Sequence, residues 1–172
     1  EMCIRDRYYI CYFVLTSPWG WQKTGKSPVV GQSMEEKMES KLCTNCFAGL
    51  PAGGGTCPVC GWDNNQPQPP EALSFHTVVA SRYQVGRVKE SNGEGITYTA
   101  LDLTTKKLVE LREYFPRSLA VRNEDGSVAP ASGQEADFDR YLDEFIALAK
   151  NVSRLREVTV VHSVLDLFEE NY

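Results

Sequence analysis

The spacing of hydrophobic and polar positions changes several times along the chain, and each change marks an element. Residues 83–88 and 95–101 alternate with a period of two, and Glu90, Ser91, Asn92, Gly93 and Glu94 lie between them. Two such runs joined by a short polar turn predict an antiparallel hairpin. Residues 107–112, after the turn at 104–106, predict a third strand. Phe138, Leu142, Phe145, Ala149 and Val152 then step by four and three, which puts them on one helix face. Ser132 and Glu135 have capping-box spacing for the start of that helix. Strand-like runs return at 158–161 and 164–168, so the order is β-β-β-α-β and the fold class is α+β.

Upstream of residue 73 the pattern is different. Residues 63–72 are rich in Pro, Gln and Asn and predict a semi-extended linker that separates a small unit at 40–62 from a larger domain at 73–172. At the start of the chain, an eight-residue apolar run at 8–15 follows Arg5 and Arg7 and superficially copies a secretory signal. Residues 1–7 resemble the translated end of a sequencing-library adapter. Residues 1–33 therefore read as a non-native, disordered leader, with the native start at Met34 or Met38, and Cys3 and Cys11 are set aside with it.

Composition narrows the function classes. The 172 residues are 24% charged with a net charge of −5, which argues against a general nucleic-acid or anionic-membrane binder. No stretch approaches the roughly 20 consecutive apolar residues that span a bilayer. A cytoplasmic location without a membrane segment is expected. Four of the six cysteines form two Cys-x-x-Cys pairs, Cys43 with Cys46 and Cys57 with Cys60. Two spacer residues let one backbone turn aim both sulfurs at one point, and two such turns supply four thiolates at tetrahedral corners, as Zn²⁺ prefers. Gly61 follows the second pair where a knuckle needs a positive φ. The unit predicts a zinc ribbon whose metal is structural, because an all-cysteine set leaves no open position; iron in the same sulfur set stays open. Trp62 is expected to pack on the knuckle. His76 and His162 lack ligand-spaced partners and are not expected to bind metal.

The second domain carries a resemblance. Val85-Gly86-Arg87-Val88, Gly95-Ile96-Thr97-Tyr98-Thr99-Ala100-Leu101-Asp102, Glu113-Tyr114-Phe115-Pro116, Leu119-Ala120-Val121-Arg122, Asp125-Gly126 and Phe168-Glu169-Glu170-Asn171 resemble bacterial serine/threonine protein kinases that begin with a zinc ribbon. The resemblance implies a kinase small lobe, an antiparallel sheet with one long helix, and a nucleotide site at Val88, Glu90, Asn92, Gly93, Gly95 and Arg112. It also implies ATP with Mg²⁺ as ligand and a large lobe beyond Tyr172. No His-Arg-Asp or Asp-Phe-Gly occurs in the 172 residues.

The nucleotide positions depart from the family pattern. Of its three loop glycines only Gly95 remains, with Glu90 and Asn92 at the other two, and Glu94 adds a second carboxylate. Like charges at 4 Å repel by about 1–4 kcal/mol across aqueous to surface-like dielectrics. Arg112 stands at the family's lysine, Glu110 at its small residue, Lys89 at an apolar roof position and Leu148 at the helix glutamate. A register one residue off would bring Glu144 to the last of these. The expected protein is a pseudokinase fragment, a scaffold or weak nucleotide binder whose partner is another protein or the absent large lobe. An active kinase fragment and a zinc-dependent interaction module remain the alternatives.

Overall fold

The computed structural model describes residues 10–16, 41–51, 53–154 and 164–170. The elements are β1 (Ile10–Thr16), β2 (Val78–Val79), β3 (Tyr83–Ser91), β4 (Gly95–Asp102), β5 (Lys107–Tyr114), β6 (Ala120–Arg122), β7 (Val128–Pro130), α1 (Glu135–Ser153) and β8 (Val164–Glu170). Six strands form one sheet in the order β2-β3-β4-β5-β1-β8, and β6 pairs with β7. All these pairings are antiparallel.

The predicted hairpin and third strand are present as β3, β4 and β5. The β4–β5 ladder is continuous from Gly95 opposite Tyr114 to Asp102 opposite Lys107. Because side chains alternate, Ile96, Tyr98, Ala100, Val109 and Leu111 share one buried face, while Thr97, Thr99, Glu110 and Arg112 share the other. Burying an apolar side chain of this size stabilises by about 1.5–3 kcal/mol. At the far end of the hairpin, the Asp102 carboxylate accepts from Arg82, from the amides of Thr104 and Thr105 and from the Thr105 hydroxyl. Arg82 is the main reason that this carboxyl is held well below the usual range.

Helix α1 buries Phe138, Phe145 and Ala149, with Leu142 and Val152 partly buried, as the apolar spacing requires. Tyr114 fixes it to the sheet: its hydroxyl donates to the Phe138 carbonyl at 2.7 Å, and its ring meets those of Phe138 and Phe145. The capping box does not form. Gln134 is the N-cap and makes no side-chain cap bond, and Glu135 instead accepts from the amide of Gly133, whose φ is 79°. The turn that closes from the Gln134 amide to the Ala131 carbonyl leaves Ser132 upstream of the cap position.

The reading of 1–33 as disordered leader is corrected at 10–16. That segment is β1, hydrogen-bonded to β5 on one side and β8 on the other. Tyr12 and Val14 lie on one face at 0% exposure, and the Tyr12 ring stacks on Phe168 at 5.2 Å. Aromatic and β-branched residues in a run favour a strand, and an unpaired strand edge readily accepts another. The rest of 1–33, the run at 158–161 and His162 lie outside the described residues. Among the described residues no helix is long and apolar enough to cross a membrane.

Candidate functional site

The two Cys-x-x-Cys segments form facing knuckles. The Phe47 amide donates to the Cys43 carbonyl and the Gly61 amide to the Cys57 carbonyl, both at 2.9 Å. Gly61 takes φ 73° as expected; in the first knuckle Phe47 takes the equivalent conformation at φ 58°. A left-handed backbone costs a residue with a Cβ roughly 1–2 kcal/mol. Phe47 offsets this by burying its ring, which is 9% exposed.

The four sulfurs lie within 4.8 Å of one another. Cys43 and Cys60 are 3.6 Å apart, as are Cys46 and Cys57. A tetrahedron with metal–sulfur bonds near 2.3 Å has edges of about 3.8 Å, so the set fits one metal ion such as zinc. The Asn45 amide donates to Cys43 Sγ at 3.4 Å, and its Nδ2 to Cys60 Sγ at 3.5 Å. Burial pushes the Cys43 and Cys46 thiols up. Burial also opposes ionisation of Cys57, but the Cys60 and Val59 amides together with the Cys43 and Cys46 side chains outweigh it and draw that thiol down to about 7. Four thiolates this close require a cation to offset their mutual repulsion.

The ribbon is docked on β3 and β4. Thr44 is 6% exposed, and its carbonyl accepts from the Arg87 amide at 2.7 Å and the Thr99 hydroxyl at 3.2 Å. A Cβ on Gly86 would stand 2.3 Å from that same carbonyl oxygen, so the strand needs glycine here for close approach. Arg87 donates through Nε to Asn45 Oδ1 at 2.8 Å, and its guanidinium covers the Trp62 ring at 4.3 Å. Trp62 Nε1 donates to the Thr44 hydroxyl, and Asn64 Oδ1 accepts from the Thr44 amide. The linker is a fitted strap, since Gln68 donates to the Leu73 and Gly86 carbonyls and accepts from the Val88 amide.

His76 lies in this seam, edge-on to Phe47 at a centroid distance of 6.2 Å, with Nδ1 buried and unpartnered. Burial lowers its pKa, and the hydrogen bond to Leu42 only partly opposes this. The folded state therefore takes up a proton less readily than the unfolded chain, so stability is full above about pH 6.5 and declines as pH falls through the folded value. Thermal unfolding of the wild type is expected to lose more between pH 7 and 5 than that of His76→Gln. Equal pH slopes in the two proteins would refute this.

The residues assigned to nucleotide binding are placed on and around the β3–β4 turn, where other protein groups engage them. Asn92 Oδ1 accepts from the Glu94 and Gly95 amides and from Arg112 at 3.0 Å. Arg112 also donates to the Thr97 hydroxyl at 2.9 Å and lies 3.5 Å from Glu94. Lys89 pairs with Glu110, whose side chain is 9% exposed. Glu90 accepts from Asn92. Val88 pairs with Tyr98 and packs against the core. Gly95 has a steric reason of its own, because a Cβ there would meet the Glu113 carbonyl oxygen at 2.3 Å. Gly93 faces open space. Leu148 is 53% exposed, and Glu144 pairs with Arg140.

Between this turn and α1 runs a groove of about 550 Å³, lined by Gly93, Glu94, Tyr114, Tyr141, Glu144 and Leu148 among others. Asp137 also lines it, so three carboxylates face the space. A second group of residues was not legible as a site. Glu113, at 0% exposure, accepts a two-pronged bond from Arg122 at 2.9 and 2.7 Å, one from Tyr98 at 2.7 Å and one from Tyr12 at 3.3 Å. The sequence shows these only as a strand residue and a basic residue nine positions apart.

No family model and no curated protein matches the chain. Among solved structures the chain is similar to the apo form of PpkA-294. Their identity is 27%, the match covers 49% of this chain and 30% of that one, and the TM-score is 0.46.

Proposed function

We propose that the chain is part of a kinase-like signalling protein of the bacterial serine/threonine type. In this reading a structural zinc ribbon is fused to a small lobe that works as a scaffold rather than a phosphoryl-transfer site. Cys43, Cys46, Cys57 and Cys60 would hold the zinc and leave no coordination position for a substrate. Supporting the small-lobe reading, residues 83–114 form three antiparallel strands, and Tyr114 at the end of the third anchors α1, which lies along β1 and β8 of the same sheet. This arrangement disfavours an interaction module that merely resembles a kinase lobe.

A single observation carries the scaffold reading. The cations that would meet a polyphosphate are already paired, Lys89 with Glu110 and Arg112 with Asn92, Thr97 and Glu94. A triphosphate would have to break these contacts and approach Glu90 and Glu94. The kinase alternative needs a free cation aligned by a helix carboxylate, but Leu148 offers none and Glu144 is bound to Arg140.

Mg·ATP at millimolar concentration is expected to raise the midpoint of thermal unfolding by less than about 2 °C, since a ligand below its Kd contributes under about 0.4 kcal/mol. A magnesium-dependent rise of about 5 °C or more, well beyond this bound, would restore the nucleotide-binding reading.

A further inference from the structure

We infer that Arg87, acting through Asn45, is the charge partner of the metal centre, and that metal binding in the ribbon thereby orders the β3–β4 hairpin. The inference rests on the reading that the four cysteines hold one divalent ion.

Four thiolates around one dication carry two net negative charges. A continuous path leads from them into the sheet: Cys60 Sγ accepts from Asn45 Nδ2 at 3.5 Å, and Asn45 Oδ1 accepts from Arg87 Nε at 2.8 Å. The Asn45 amide is thus oriented at both ends, by a sulfur and by a guanidinium. The Arg87 side chain is sandwiched between this contact and the Trp62 ring, so its charge is held in place.

The backbone repeats the connection. Thr44 lies between Cys43 and Cys46, and its carbonyl takes the amide of Arg87 and the hydroxyl of Thr99. These two contacts tie adjacent strands of one hairpin to one knuckle residue. That residue can approach only because position 86 is glycine. Thr99 stands opposite Glu110 on the face that carries Thr97 and Arg112, so the docked knuckle borders the Lys89–Glu110 pair. When the metal leaves, the knuckle loses the centre that shapes it, and Thr44 and Asn45 lose their fixed positions. The hairpin should then loosen on its ribbon side.

The test uses the full chain, with zinc or cobalt as probe. Metal stoichiometry and the cobalt–thiolate absorption report the centre, while hydrogen exchange of residues 83–102 reports the hairpin. Stripping the metal from the wild type is expected to speed exchange across the hairpin, at the Arg87 amide above all, by about tenfold or more, and zinc should reverse it. Gly86→Ala should still bind one metal but leave hairpin exchange indifferent to it. Should that variant fail to fold, Arg87→Met serves instead, with metal affinity lower by about tenfold. Arg87→Lys should recover part of that loss, which a packing role alone would not allow. One metal bound with an unresponsive hairpin would overturn this inference and leave the zinc ribbon standing. No metal uptake at all would overturn both.

Discussion

Arg122→Met is expected to destabilise the chain by about 3–5 kcal/mol, because it strands a buried carboxylate. Glu113 has no solvent exposure, and Arg122 supplies two of the four hydrogen bonds that its carboxylate accepts among the described residues. The two phenols that remain, Tyr98 and Tyr12, are neutral and do not balance the charge. Arg122 also donates to the Glu71 and Gly126 carbonyls, so the variant releases the β6–β7 hairpin from the linker. At roughly 2–4 °C per kcal/mol for a domain of this size, the unfolding midpoint should fall by about 6–20 °C. The double variant Glu113→Leu/Arg122→Met should recover most of that loss, since a buried ion pair replaced by apolar groups is often neutral. A single variant within about 1 kcal/mol of the wild type would show that water reaches Glu113.

If the four cysteines hold a metal as proposed, Cys57→Ser is expected to abolish its stoichiometric binding and unfold the ribbon, with the sheet still formed. The knuckles at 43–46 and 57–60 are joined by a loop that includes Pro51, Gly53, Gly54 and Gly55, which supplies little apolar surface for burial. In comparable small units the metal contributes an apparent 10–16 kcal/mol, so about all of the local stability depends on it. Elemental analysis with limited proteolysis checks this: the variant should be metal-free and cut within 49–61, while β3 to β5 resist. A variant that remains resistant there without metal would mean that docking on Gly86 and Arg87 holds the ribbon by itself.

The parts of this protein that were legible in the sequence are those governed by short-range periodicity. Period-two alternation locates β3, β4 and β5, and steps of three and four locate the buried face of α1. Cys-x-x-Cys spacing locates the sulfur cluster, because two intervening residues define a single turn. The glycine at position 61 belongs to the same local logic. Local rules also misled. The stretch 10–16, read as disordered, is a strand between β5 and β8, because strand order is settled by which edges lie open in three dimensions. Ser132 had the right spacing for a cap, but the turn at Gly133 shifted the start of the helix.

Long-range pairing decided the rest. The sequence by itself determined that β3, β4 and β5 are strands, which face of the helix is apolar and which four sulfurs converge, since each depends on residues within a few positions of one another. Only the tertiary structure decided that Arg87 bonds Asn45, that Glu113 is buried against Arg122, and that Lys89 and Arg112 are consumed by neighbouring side chains. Those partnerships depend on how β3, β4, β5 and the ribbon are stacked. A charged residue has the same letter whether it faces water, a ligand or a buried counter-ion.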